Sequence, residues 1–414
     1  RFPVNELSSG YITTTNPGLL LSMHVRYDID RGILQFDQRR AIEALAKKYH
    51  QDSDTIRKTL PLSPSDDLPK LLLPEKPEYV TEFLSMIGSC LHICQVSRPD
   101  CSYAVGVLSR HAATPGEQHM AAARQLIAYM HHTRQWCIQY TRTPTSGNLP
   151  EIHEYGSRLV EDTPKPHSLT DTSRRSLNSQ VNGSTRTSEE SIVKGLTPNT
   201  PSSSLINNNN NNVTLSSSIK SPGPLTDIPE YSSRTIEERL VEGLPPSDPN
   251  TPISYIDANL GGDRITRKST SGLVIIMNGG PIAWNSRLQK LCAQSSAESE
   301  IYAVVDSVKE ALHIKLLCEE CGIRPPGIPM TIWEDNNACI QMGHNLRGSN
   351  AAKHYELRLR FLNEHIWEKN IEFSRIDTTR QLADCFTKQL PLPAFRKFRS
   401  ILMVNTNPST TLED

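Results

Sequence analysis

The chain has 414 residues, a formal net charge of −1 from 44 basic and 45 acidic side chains, and 29 prolines against a hydrophobic content of 36%. That length leaves room for more than one domain, while the balanced charge excludes a global field that steers polyanions and leaves only local basic patches for that task. No apolar run approaches the roughly 18–20 residues of a bilayer-spanning helix, and no leader sequence is visible, so no membrane partner is expected.

Nine scattered cysteines read as reduced thiols, which points to an intracellular setting, cytoplasm and/or nucleus. The close pair Cys318 and Cys321 has no second pair or nearby His to complete a metal site. The chain begins with Arg1, so it is expected to be part of a longer product.

In chain order, Leu21 to Tyr27 and Ile33 to Phe36 predict two strands around the turn at Asp30-Arg31-Gly32. Asp37 is placed to cap a helix running to about Tyr49, whose Ala41, Ile42, Leu45 and Ala46 share one face. A Pro-rich extended stretch leads to helices over Tyr79–Val96, Cys101–His111 and Glu117–His131, then a strand at Trp136–Tyr140. Residues 1–140 thus predict a small α+β unit with no catalytic cluster.

From about 141 to 250 Ser, Thr, Asn and Pro dominate, including the run Asn207 to Asn212. Such a stretch buries too little apolar surface to offset its ordering entropy and is expected to be a disordered linker. Residues 251–390 then predict an α/β unit. Ile253 to Ala258 reads as a strand, Leu273–Met277 and Pro281–Trp284 as a hairpin about Asn278-Gly279-Gly280, and Ser295 as the start of a long helix to Cys321. Strands at Pro329–Trp333 and Ile371–Ile376 follow, with helices at Ala338–Met342, Asn350–Trp367 and Thr379–Lys388, giving a mixed five-stranded sheet flanked by helices. Residues 391–414 are expected as a tail.

Four acids fall at ends of these elements: Asp257, Glu300, Asp335 and Asp384. Carboxylates converging at a sheet edge suit hard divalent cations, Mg²⁺ or Mn²⁺, which take oxygen ligands. In a chain with 45 acids, spacing alone does not separate this pattern from chance.

The motifs go further. Ile256-Asp257-Ala258-Asn259-Leu260-Gly261-Gly262-Asp263 followed by Arg267-Lys268-Ser269-Thr270-Ser271-Gly272 resembles the ribonuclease H domain of copia-type LTR-retrotransposon polyproteins. So do Gly280-Pro281-Ile282-Ala283-Trp284, Ser295 to Glu300, Glu334-Asp335-Asn336, Lys353-His354 and Gln381-Leu382-Ala383-Asp384. Met86-Ile87-Gly88-Ser89, Arg98-Pro99-Asp100 and Leu108-Ser109-Arg110 resemble the region after the polymerase palm of the same polyproteins, a reverse transcriptase thumb or connection unit.

The resemblance implies a ribonuclease H-like fold that hydrolyses the RNA strand of RNA/DNA hybrids by two-metal catalysis, with Asp257, Glu300, Asp335 and Asp384 as catalytic metal ligands. Between Glu298 and Glu300, the S-x-x-E capping box gives Glu298 a structural task and leaves Glu300 as the favoured ligand. Arg264, Arg267, Lys268 and His354 are the candidate nucleic-acid contacts, with Arg358, Arg360 and Arg375 behind them. Other pol-derived reverse transcriptase subunits are the candidate protein partners.

A polymerase of this family carries Tyr-x-Asp-Asp between apolar strands, whereas the one Asp-Asp here, Asp66-Asp67, lies between Pro64 and Pro69. The chain is therefore expected not to polymerise DNA. The alternative to a ribonuclease is an inactive transposon relic that only binds nucleic acid.

Overall fold

The computed structural model of the protein describes residues 18–20, 23–53, 55, 57–63, 68–142, 250–344 and 355–406. The chain divides into two units, Arg1–Pro144 with Pro229–Asp414 and Thr145–Ile228. The second unit, and all but the ends of the linker expected at 141–250, lie outside the described residues.

The first sheet has the order β1-β2-β3-β4-β10. Its strands are β1 (Gly18–Leu20), β2 (Met23–Asp28), β3 (Ile33–Asp37), β4 (Trp136–Thr141) and β10 (Val404–Asn405). Helix α1 (Arg39–Lys48) follows β3, and its first N–H is met by the Asp37 carboxylate (Arg39 N to Oδ1, 2.9 Å). Then come α2 (Pro77–Val96), which Pro77 opens with its φ preset for a helix, α3 (Ser102–Ser109) and α4 (Glu117–His132).

The second sheet has the order β7-β6-β5-β8-β9. Strand β5 (Ile253–Asn259) runs antiparallel to β6 (Thr270–Met277), which runs antiparallel to β7 (Gly280–Leu288). On its other side β5 is parallel to β8 (Met330–Glu334), itself parallel to β9 (Ile371–Arg375). Asn278 and Gly279, at φ 52° and 79°, form the two-residue hairpin turn whose twist matches the strands. Pro281, with no N–H to give, sits in the edge strand β7 beside a bulge. Helices α5 (Ser296–Glu320), α6 (Asn337–His344), α7 (Glu356–Trp367), the short α8 (Asp384–Thr387) and α9 (Leu392–Leu402) complete the chain.

Strand β5 is buried on both faces, and alternate residues serve two cores. Ile256, Leu273, Ile275 and Ile332 pack with Ile301, Val304 and Val308 of α5 and Leu359 and Leu362 of α7. Tyr255, Val274, Ile276 and Phe386 join Phe83, Met86, Cys94, Leu108 and Leu126 of the N-terminal helices in the other. The two stretches that composition sets apart therefore share one apolar cluster. Polar bonds cross the same boundary: Trp284 Nε1 donates to Cys94 O at 2.9 Å and the Tyr140 hydroxyl to Pro281 O at 2.7 Å.

Two expectations change. Residues 391–414 are not only a tail, because α9 seats Phe395, Phe398 and Leu402 in the core shared with the N-terminal helices and β10 pairs with β4. The helix expected over Thr379–Lys388 is instead a 3-10 turn at Thr378–Arg380 and the four residues of α8. The buried Gln381 explains the break: its Nε2 donates to Ile256 O at 2.9 Å and holds the segment against the ends of β5 and β8. The start of the helix expected from Asn350 lies outside the described residues.

Candidate active site

Asp257 lies in β5, paired across the ladder with Gly272 of β6. Glu300 stands in the second turn of α5, and Asp335 immediately follows β8. The carboxylate oxygens of these three residues lie within 4.8 Å of one another. Local chemistry aims Asp335: Glu334 Oε1 accepts from Asn336 N at 3.0 Å, and Asn336 Oδ1 accepts from Ala338 N at 3.0 Å to cap α6.

Glu298 is occupied elsewhere. Its backbone N–H donates to Ser295 Oγ at 3.2 Å, and its carboxylate takes Gln294 N at 2.7 Å and the Tyr302 hydroxyl at 2.6 Å. Two helical positions later, Glu300 keeps one oxygen free: its Oε2 is buried and accepts no hydrogen bond.

Asp384 does not join the convergent three. It lies beside them with Oδ1 2.8 Å from Lys388 Nζ, its side chain 9% exposed. Thr387, one position before that lysine, donates its hydroxyl to Asp257 Oδ2.

Segment α8 comes this close because residue 272 is glycine. A Cβ there would meet Thr387 Cγ2 at 2.7 Å, Phe386 Cβ at 2.9 Å and Ala383 O at 3.0 Å. Gly272→Ala is expected to push α8 off β6, lowering unfolding stability by about 1–3 kcal/mol as overpacking does. A urea midpoint measures it, and an unchanged midpoint would show that the segment is not clamped there.

The electrostatics are those of crowded like charges. Burial, then the carboxylates of Glu334, Asp257 and Asp335, push the Glu300 carboxyl well above its usual range. Burial likewise raises Asp257. It takes Asp384 up to about 7, with Asp257 next in effect. Glu334, fully buried behind Asp335, is also pushed well up, chiefly by burial. Burial works against the Lys388 ammonium, but Asp257 and Asp384 outweigh it and hold the charge.

A hard divalent cation fits this donor set. The ligands are all carboxylate oxygens, one of them an orphaned buried atom, and the excess negative charge lacks a full counter-charge.

The expected nucleic-acid contacts lie on the loop between β5 and β6. Arg264 and Arg267 are exposed and Lys268 is half-buried. Asp263 organises this loop, accepting from Thr266 N at 3.0 Å, and links it to Arg110 beyond α3 at 3.4 Å. Arg358 stacks over Tyr302 at 4.6 Å and Arg360 pairs with Glu356 at 2.8 Å, so both are engaged within the protein. His354 lies outside the described residues. Sequence reasoning passed over Lys388, Thr387 and Glu334. Only the i, i+4 spacing of Asp384 and Lys388 offered a signal.

Fold and site together define a mixed α/β protein with a carboxylate cluster where its parallel and antiparallel strands meet. The chain is similar to retrovirus-related Pol polyproteins of transposons over part of its length. It is 28% identical over 37% of its length to the retrovirus-related Pol polyprotein from transposon TNT 1-94 of Nicotiana tabacum. Over 155 residues, also 37% of its length, it is 31% identical to that from transposon RE1 of Arabidopsis thaliana. These matches span 11% and 10% of the two polyproteins, so the chain corresponds to about a tenth of their length. A ribonuclease H1 isolated from compost superposes with a TM-score of 0.26 at 14% identity, over 33% of this chain and 93% of that one. No family model matches the chain.

Proposed function

We propose that the C-terminal sheet is a metal-dependent ribonuclease H that hydrolyses the RNA strand of RNA/DNA hybrids, leaving 3′-hydroxyl and 5′-phosphate ends. The observation that carries it is the convergence of Asp257, Glu300 and Asp335 within 4.8 Å, with Glu300 Oε2 unpartnered. These three residues would hold Mg²⁺ or Mn²⁺, with Asp384 beside them, and the bound metal supplies an activated water and charge compensation at the phosphate. The chain's own part is to hold the carboxylates in place. Thr387 orients Asp257, and the Glu334–Asn336 turn aims Asp335. Arg264, Arg267 and Lys268 supply cations for the hybrid backbone, which position a strand without reading its bases. Residues 1–140 serve in this reading as a reverse transcriptase connection unit that supports the nuclease sheet.

A second reading, an inactive relic that binds nucleic acid only, draws on one observation: Asp384 is ion-paired with Lys388 and is not one of the three convergent residues. A labelled RNA/DNA hybrid separates the two. With Mg²⁺ the protein is expected to cut the RNA strand, with EDTA to leave it whole, and with Asp335→Asn to leave it whole even with Mg²⁺. Hybrid retained but uncut under all conditions is the relic's result.

A further inference from the structure

Lys388 is out of place for a surface lysine. Its ammonium sits 2.8 Å from Asp384, on a segment that Gln381 and the glycine at 272 clamp against the sheet. Asp257 faces the same charge, since the neighbouring Thr387 already bonds one of its oxygens. The carboxylates thus divide into two sides. Asp257, Glu300 and Asp335 converge as possible ligands, whereas Asp384 is ion-paired with Lys388, whose charge also acts on Asp257 and Asp335.

We propose that Lys388 is a resident cation of this site, holding the Asp384 side so that the protein without nucleic acid takes up a single divalent ion on Asp257, Glu300 and Asp335. This rests on the metal-dependent reading of the site and changes its count. Two divalent ions and an ammonium around the same carboxylates would bring three cations within a few ångströms, where like charges repel strongly in a partly buried setting. The ammonium also ion-pairs with Asp384 at 2.8 Å, and a metal replacing it must displace that pair and find its own full set of oxygens. Removing the ammonium while keeping the aliphatic stem therefore frees Asp384 to hold a second ion. A lysine that merely braced α8 would change stability on substitution and leave the ion count as it was.

The test is a Mn²⁺ binding isotherm on the full chain without nucleic acid, read by the electron paramagnetic resonance of free Mn²⁺. Asp335→Asn is titrated alongside to subtract ions bound elsewhere. The wild type is expected to bind one ion per chain above that background, Lys388→Met two, and Lys388→Arg one. The second ion on Lys388→Met is expected to bind at least tenfold more tightly than any second ion on the wild type. Circular dichroism checks that each variant folds, and Lys388→Gln replaces Lys388→Met if the latter does not. Two ions on the wild type, or a single ion on the neutral variant, would overturn the resident-cation role while leaving the metal site standing. No binding by the wild type above Asp335→Asn would overturn the metal reading itself, and this proposal with it.

Discussion

Glu300→Gln is expected to cut metal-dependent hybrid cleavage by about a thousandfold while raising the melting temperature of the metal-free protein. The first effect follows from losing one carboxylate oxygen of the convergent set, at about 4 kcal/mol of transition-state stabilisation. The second follows from the burial and neighbouring carboxylates that push the Glu300 carboxyl up: ionising it inside the protein is unfavourable, so a neutral isostere relieves strain. The relief is expected at about 0.5–2 kcal/mol, the usual scale for neutralising such a functional site. Added Mg²⁺ reverses the order, stabilising the wild type and leaving the variant unmoved. Glu298→Gln is the internal control. Its carboxylate serves Gln294 and Tyr302, so it is expected to lose about 1 kcal/mol of stability and keep cleavage. A swap of these two phenotypes would assign the site to Glu298 and sink the placement of Glu300.

The largest stability effect is expected far from the carboxylates. Arg98 is among the largest fully buried side chains, and it clamps Asp100 through two bonds, Nε to Oδ1 at 2.9 Å and Nη2 to Oδ2 at 2.8 Å. The Tyr129 hydroxyl donates to the same carboxylate at 2.7 Å, and Arg399 of α9 reaches Tyr129. Arg98→Ala leaves a buried carboxylate without its counter-charge, at about 3–5 kcal/mol, which lowers the melting temperature by roughly 4–9 °C in a chain of this size. Burial opposes the charge on Asp100, but the Arg98 guanidinium outweighs it and holds the carboxyl below its usual range. The sign follows. A depressed carboxyl stabilises the fold above the ordinary carboxylate value of 3.8 and loses that contribution as the pH falls through the lower folded value. Melting curves are therefore expected to drop in acid below about pH 4 for the wild type, and Asp100→Asn to flatten that drop while melting lower at neutral pH. A full acid slope in Asp100→Asn would place its origin in other groups.

What was legible in the sequence was what local chemistry decides. The Asn278-Gly279 pair marked its hairpin because both residues must take positive φ, and the Ser295–Glu298 box marked the start of α5. The same box separated Glu298 from Glu300, since a glutamate engaged at a helix start has no oxygen to spare for a site lined two positions further on. What was not legible was set by distant contacts. Nothing local marked Arg98 and Asp100 as a buried ion pair, because burial depends on α4 and α9 closing over it. The region around Asp384 looked helical by composition, but Gln381 exchanges helical bonds for carbonyls of β5 and β8. Lys388 carried no signal beyond its spacing, because most lysines are solvated. A two-residue strand such as β10 has no periodicity to detect.

That small strand bears on how the protein is made. Val404 and Asn405 pair with Cys137 and Trp136, so among the described strands the last to leave the ribosome is needed to finish a sheet begun near the start. At about 5–20 residues per second, the interval between synthesis of the two partners is roughly ten seconds to a minute. During that time the helices α2 to α4 expose the apolar face that β5, β6 and α9 later cover. The nascent chain is thus expected to engage holdase chaperones before it is complete. The carboxylate site, whose α8 segment is also made late, assembles in the same final step.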